Sequence, residues 1–426
     1  MEPSSPNPIS PLQAGLVSAS SVLGLWMLLW WLGFAAPVHS TFDERFMLPV
    51  VEELAERWPE PSVWWDFEDT KGPAFFVPAA VLFDAGIGLG GLRLVNLLIA
   101  ICSAGLVGMV VKKGWCSAAL TGLLLAFLPY HTVLSHLFMS EPSFVLGSII
   151  LGVLATTGPK GEPGLWRPLA FGLGLAILLH HRAHAVVPAA AAALVALQRD
   201  GSPAWRYVLA GLVAGLLRLP LYVEWGGLVS PDYASRYGLG CSPEATVYLL
   251  GALAPLVWVG VPLGWSRNPR LIAWVGILAV MIALVAGPDL SSTDGGVRLD
   301  GTSPLRFQGL FATVLKELPV NTQAFAMPLM VAVGTMGLAG LYLRLPKPRL
   351  DEQDGFPQYG WYLLAFGCLL YVATRGAVYD RYLLCFAAGL PVLLVRHTPG
   401  WAVIAQGGLW MLLTLWAANQ WLTPSV

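Results

Sequence analysis

Residues 16–36 read LVSASSVLGLWMLLWWLGFAA, and residues 37–46 continue PVHSTFDERF. The first stretch carries no charge and is long enough to cross a bilayer core of about 30 Å as a helix. The second turns polar at once and presents Asp43 and Glu44 at the exit of that crossing. The residues ahead of the apolar run contain no Lys or Arg. They lack the basic start of a secretory signal, so the run is expected to remain as a first membrane span.

The same texture recurs along all 426 residues, of which 56% are hydrophobic and 12% charged. A soluble chain of this length needs more charge to cover its surface. Lipid offers the backbone no hydrogen-bond partners, so the spans are expected to be helices. The apolar runs are continuous rather than alternating, which argues against a closed β-barrel. The net charge of −1 argues against a globally basic nucleic-acid binder. The five cysteines are scattered, with neither a disulfide framework nor a zinc spacing, and read as small core residues.

The expected fold is therefore an all-α polytopic membrane protein with about thirteen spans, within a range of eleven to fourteen. They are placed near 14–36, 91–111, 115–131, 143–158, 168–181, 185–198, 206–222, 246–264, 271–287, 325–343, 360–374, 382–396 and 400–418. The fifth and sixth are short enough to be tilted or incomplete. Residues 1–426 read as one transmembrane domain, with no solenoid repeat and no separate soluble module.

Short loops fix the orientation. Lys112 and Lys113, Lys160 and Arg167, Arg199 and Arg206, Arg267 and Arg270, Arg344 with Lys347 and Arg349, and Arg396 all fall in alternate loops. A cytoplasmic excess of Lys and Arg puts these loops and the N-terminus inside and the C-terminus outside. The long polar segments 37–90, 223–245 and 288–324 then lie outside, which makes that the active face.

Segment 37–90 is expected to carry two surface helices. In the first, Phe46, Val50, Leu54 and Trp58 fall four apart, with Glu52, Glu53, Glu56 and Arg57 on the other side. Pro73 suits the first position of the second, over 73–85. Thr41 and Glu44 fit a capping box, S/T-x-x-E, which gives Glu44 a structural alternative. Asp43 is not needed for that box, and a free carboxylate there could take a proton from an acceptor hydroxyl. Lys71 either pairs with Glu68 or Asp69, or offers a cation at lipid-headgroup depth.

These residues carry a resemblance. Phe42-Asp43-Glu44, Lys71-Gly72-Pro73-Ala74-Phe75-Phe76 and Gly91-Leu92-Arg93-Leu94-Val95-Asn96 resemble, in order, the first outer loop and second span of the GT-C superfamily. These are integral-membrane glycosyltransferases that use polyprenyl-phosphate sugars. The likeness is to the protein O-mannosyltransferases and lipid A aminoarabinose transferases, and in part to the dolichyl-phosphate-glucose α-1,2-glucosyltransferase. Ser135-His136-Leu137-Phe138-Met139-Ser140-Glu141-Pro142 is similar to the family's second outer loop, and Tyr379-Asp380-Arg381-Tyr382 to its late Arg-Tyr element. Gly72-Pro73 stands where the family has two prolines, and no large C-terminal soluble domain follows.

The resemblance implies an inverting transfer of a sugar from a polyprenyl-phosphate donor to a lipid, glycan or protein acceptor of the cell envelope. It implies Asp43 as general base, with Glu44 and Glu141 as further catalytic acids. Lys71, Arg182 and Arg381 would hold the donor phosphate, and His136, Tyr379 and Asp380 would line the pocket. Cations there would stabilise charge developing on the leaving phosphate. No cofactor is required by this logic, although Glu141 could orient a divalent ion. Composition suggests a bacterial inner membrane, with the active face periplasmic. The alternative is a transporter or flippase of a lipid-linked substrate, which would show charged mid-span residues and paired broken helices.

Other groups have plainer readings. His180, His181 and His184 sit at a turn between two short spans, and helix-end packing is favoured over phosphate or substrate contact, and that over metal. His131, His136 and Glu141 are spaced five apart, which does not place them on one helical face. Arg218 and Glu224 either pair or line the pocket. Asp289, Asp294 and Asp300 lack the spacing of an EF-hand loop, so 288–324 reads as a solvated loop or lid.

Overall fold

In the computed structural model the described residues are 9–422, excluding 38, 41–42, 65–66, 68, 70, 112–113, 158–163, 228, 232–237, 288–306, 309, 346–354, 376–377 and 380. The fold is that of an all-α polytopic membrane protein. The first half contains α1 (Pro11–Trp31), α2 (Glu44–Arg57), α3 (Pro73–Asp84), α4 (Leu89–Val111), α5 (Trp115–Phe127), α6 (His131–Ser135), α7 (Glu141–Thr156), α8 (Trp166–His181), α9 (Val186–Asp200), α10 (Trp205–Leu217) and α11 (Leu219–Glu224). The second half contains α12 (Pro243–Ala252), α13 (Ala254–Val257), α14 (Gly260–Trp265), α15 (Pro269–Ala286), α16 (Leu310–Lys316), α17 (Val320–Tyr342), α18 (Phe356–Ala373), α19 (Tyr382–Ala387), α20 (Leu390–His397) and α21 (Gly400–Trp421). Two-residue strands pair Gly238–Leu239 with Thr374–Arg375 and Phe307–Gln308 with Val378–Tyr379.

Each expected span contains helix, but among the described residues five helices are long and apolar enough to cross a bilayer unaided: α1, α4, α15, the Ala324–Tyr342 part of α17, and α21. Proline explains most of the shortening. Helix α5 stops at Phe127 because Leu128 precedes Pro129 and takes an extended ψ of 127°. The expected span 246–264 is broken into three pieces around Pro255 and Pro262, and 382–396 into two before Pro391. Helices α8 and α9 meet at Arg182, whose extended backbone (φ −153°, ψ 138°) ends one helix before the next begins.

Helices pack where side chains are small, as membrane helices must without a solvent-driven force between them. A Cβ on Gly340 would lie 1.8 Å from the carbonyl oxygen of Gly260, so α14 and α17 touch backbone to backbone. The outward faces are apolar: Leu212 and Leu216 on α10, and Leu284 and Val285 on α15, are exposed. That is the surface expected against lipid.

The two ends of the bundle keep different partners. Arg199, Arg396 and Arg344, from loops assigned to the inner side, reach Thr157, Val110 and Ser266, which belong to the same end. The residues from loops assigned to the outer side gather at the other end.

Helix α2 is rotated from expectation. Its buried face is Glu44, Met47, Val51 and Leu54, while Phe46 is 74% exposed. A carboxylate causes the rotation. Glu44 is drawn inward by Arg93, and Phe46, two residues on, is turned by about 200° to the outside.

Candidate active site

Asp43 sits at the N-cap of α2, but its side chain makes no capping bond. Its Oδ2 instead accepts a hydrogen bond from Arg381 Nη2 at 2.7 Å, with Lys71 Nζ 3.9 Å away. The Asp43 side chain keeps 28% of its surface exposed, and those of Lys71 and Arg381 keep 16% and 10%. The carboxylate is therefore paired yet open on one side.

Glu141 occupies the first turn of α7, ahead of the span, and has no exposed surface. Its Oε1 accepts from Arg182 Nη2 at 3.0 Å and lies 3.7 Å from Arg381 Nε. Its Oε2 has no hydrogen-bond partner among the described residues. Burial by itself would raise this carboxyl, but Arg182, then Arg381 and Lys71, outweigh it and hold it down to about 2. Arg182 also donates to Ser140 Oγ through Nε at 3.1 Å and through Nη2. Both guanidinium groups lie over the Tyr382 ring, at 5.6 Å and 5.9 Å.

Asp43, Lys71, Glu141, Arg182 and Arg381 thus form one linked set, drawn from four distant parts of the chain. Three cations face two carboxylates, so the set as a whole carries one excess positive charge. It is suited to receive an anion beside a carboxylate.

The backbone of the first loop is fixed against α8. Gly72 N donates to His181 O at 2.8 Å, and a Cβ on Gly72 would lie 1.8 Å from His180 O. That explains the departure from two prolines. A proline at 72 would lose the hydrogen bond and collide with α8. Asp69 accepts the backbone N–H of Lys71 at 2.8 Å rather than its ammonium, which faces Asp43. Glu68 lies outside the described residues.

Glu44 is not part of the open set. It is fully buried, takes a two-pronged bond from Arg93 (Nε to Oε1 at 2.9 Å, Nη2 to Oε2 at 2.6 Å), and accepts Phe138 N at 2.7 Å. Arg93 also donates to the carbonyls of Pro37 and His39. The capping box is corrected too, since Asp43 is the N-cap and Glu44 points to α4. Arg93 was legible only as the start of the second span, and its role needed the tertiary partner.

His136 is brought elsewhere. It donates from Nδ1 to Thr132 O at 2.7 Å and packs edge-on against Trp26 and Trp30, making no contact with the charged set. Of Tyr379 only the backbone pairing with Gln308 is described, and Asp380 lies outside the described residues. His180, His181 and His184 serve helix-end packing: His181 Nε2 lies 2.6 Å from Ser143 Oγ, and His184 packs on Tyr382 and Phe386. No three His, Cys, Asp or Glu side chains converge as a metal site among the described residues. Arg218 and Glu224 do not pair: Arg218 is buried over the Tyr222 and Trp225 rings, and Glu224 is exposed. Asp289, Asp294 and Asp300 fall outside the described residues.

No family model matches the chain, and no curated protein matches it. Solved structures similar to it include ArnT from Cupriavidus metallidurans in the apo state, 14% identical, covering 94% of this chain and 76% of that one at a TM-score of 0.41. Another is the same protein bound to undecaprenyl phosphate, 15% identical, covering 94% and 77% at a TM-score of 0.42. At that identity, the chemistry of this chain has to be argued from its own side chains.

Proposed function

We propose that this protein is a membrane glycosyltransferase that moves a sugar from a polyprenyl-phosphate carrier to an acceptor of the cell envelope. One observation carries the reading: the Asp43 carboxylate is half of an ion pair with Arg381, has Lys71 beside it, and remains part-exposed. A phosphate arriving at this place would share Lys71 and Arg381, releasing the carboxylate next to the sugar carbon that reacts. The acceptor oxygen then forms its bond to that carbon and gives its proton to Asp43. The carbon–phosphate-oxygen bond breaks, and its electron pair leaves on the phosphate. Lys71, Arg182 and Arg381 meet that charge in a low-dielectric setting, where fixed cations act most strongly. Attack opposite the leaving group inverts the sugar centre.

Glu141 takes a positioning part, holding Arg182 and Arg381 in place. Glu44 is assigned the same kind of part for the loop that carries Asp43. The active face is the extracytoplasmic side of a bacterial inner membrane, following the distribution of Lys and Arg among the short loops.

The test uses purified protein with polyprenyl-phosphate sugars and extracted envelope lipids, glycans and proteins as acceptors. Transfer with inversion is expected, and Asp43→Asn should abolish it while the melting temperature holds. Full turnover in Asp43→Asn would remove this mechanism. Accumulation of a lipid-linked substrate across proteoliposomes with no covalent product would favour a flippase instead.

A further inference from the structure

Residues 136–140 join α6 to α7 without forming helix, yet Leu137, Phe138, Met139 and Ser140 are all buried. Buried peptide groups outside regular structure need partners from elsewhere. Here side chains supply them. Asn96 Nδ2 donates to Leu137 O at 2.7 Å and to Met139 O at 2.8 Å. The N–H between those two carbonyls, on Phe138, donates to Glu44 Oε1 at 2.7 Å. Asn96 is buried as well, so its amide is committed to this segment.

Asn96 follows Arg93 by three positions on α4, and residues so spaced share a helical face. Arg93 holds the loop that carries Asp43, and Asn96 holds the segment that runs into Glu141. Glu44 bonds to both neighbours, Arg93 and Phe138. The contacts close into a ring. It runs from Asp43 to the adjacent Glu44, across to Phe138, along the chain to Glu141, over to Arg381 and back to Asp43. Met139 leads directly into Ser140 and Glu141, whose side-chain oxygens accept from Arg182. A carboxamide nitrogen suits this place because it offers two N–H donors without a charge. Leucine has a similar shape and no donor. At position 96 it would leave two buried carbonyls unpaired and the segment free to settle elsewhere.

We propose that Asn96 is a positioning residue: by holding the 137–139 backbone against α4, it sets the depth at which Ser140 and Glu141 meet Arg182 and Arg381. It acts through the loop alone. Its effect on turnover rests on the transferase reading, whereas its effect on the loop does not.

The test pairs hydrogen-exchange mass spectrometry with steady-state kinetics on purified wild type, Asn96→Leu and a control, Gln406→Leu. Gln406 is buried on α21, and its Nε2 donates to Pro255 O at 2.7 Å, a bond of the same kind that involves neither outer loop. In Asn96→Leu, amides in peptides covering 136–144 should exchange about tenfold faster than in wild type, as befits lost backbone restraint. Its kcat for transfer from a polyprenyl-phosphate sugar should fall by about ten- to a hundredfold, the scale of a small misplacement of site groups, with KM near wild type. Gln406→Leu should show neither change. If Asn96→Leu does not accumulate as folded protein, Asn96→Ser reads the same quantities, since one hydroxyl donates to one carbonyl at most. Wild-type exchange over 136–144 in these variants overturns the proposal. Faster exchange there with unchanged kcat overturns it too, as do equal losses of kcat in Asn96→Leu and Gln406→Leu. If wild type transfers no sugar, faster exchange confined to the Asn96 variants upholds the clamp on the loop and sinks the transferase reading.

Discussion

Two ion pairs stand side by side at the start of α2, built on adjacent residues, and they differ in what they leave open. The Glu44–Arg93 pair is sealed: Glu44 has no exposed surface, and its two oxygens both accept from Arg93, with Phe138 N donating as well. The Asp43–Arg381 pair keeps more than a quarter of the Asp43 side chain accessible and has a second cation in reserve. A saturated pair can only hold structure, whereas an open pair can exchange partners. Successive positions at a helix start point about 100° apart, so one dipeptide serves both purposes.

Substitutions at the two acids should separate these purposes. Asp43→Asn is expected to lower the transfer rate by roughly 10²–10⁴-fold, the usual worth of a positioned general base, with little change in melting temperature. Steady-state kinetics beside a thermal melt would read both, and a large loss of stability with retained turnover would reverse the contrast. Glu44→Gln should do the opposite. Breaking a buried pair leaves Arg93 uncompensated and costs about 3–5 kcal/mol of stability. Loss of folded protein in detergent should precede any loss of specific activity, whereas a stable but inactive Glu44→Gln would place Glu44 in the chemistry.

Acid should discriminate further. The Glu141 carboxyl titrates near 4.5 when unfolded and is held at about 2 by Arg182, Arg381 and Lys71. Its folded pKa is depressed, so the stability it contributes is complete above about 4.5 and is lost as pH falls through 2. Wild type should lose melting temperature over that window, and Glu141→Gln should lack this component. The smallest contrast tests the rotation of α2. Met47→Ala should cost about 2–5 kcal/mol, as for other buried large-to-small changes, while Phe46→Ala should stay within about 0.5 kcal/mol. Equal effects would contradict the burial pattern.

Much of the fold was legible because the bilayer imposes a length and a composition on every crossing. Among the described residues, Arg199, Arg344 and Arg396 from the Lys- and Arg-rich loops bond to Thr157, Ser266 and Val110 rather than to the Asp43 set. Prolines at 129, 255, 262 and 391 were visible, yet how they divide a crossing depends on which neighbours absorb the freed carbonyls. At the site, Asp43, Lys71, Glu141, Arg182 and Arg381 were legible through the resemblance as candidates for one cavity, whereas the pairs they form with one another needed the tertiary structure. Arg93 and Arg218 were visible as charges near span ends, but only tertiary contacts distinguish a sealed pair from an unpaired cation. The register of α2 was misread because two apolar series run through it, and periodicity alone does not rank them. His136 was misplaced because a histidine between two acidic motifs looks polar, while its ring lies among tryptophans.

The contact between Asp43 and Arg381 joins residues separated by 338 positions. A ribosome releases the aspartate early and the arginine near the end of synthesis. For most of translation Asp43 has Lys71 but not Arg381 to face, and nearly every hydrophobic segment has been threaded before that second partner emerges. Assembly of the charged set is therefore a late event in biogenesis, and a chain stalled before residue 381 would be inserted without it.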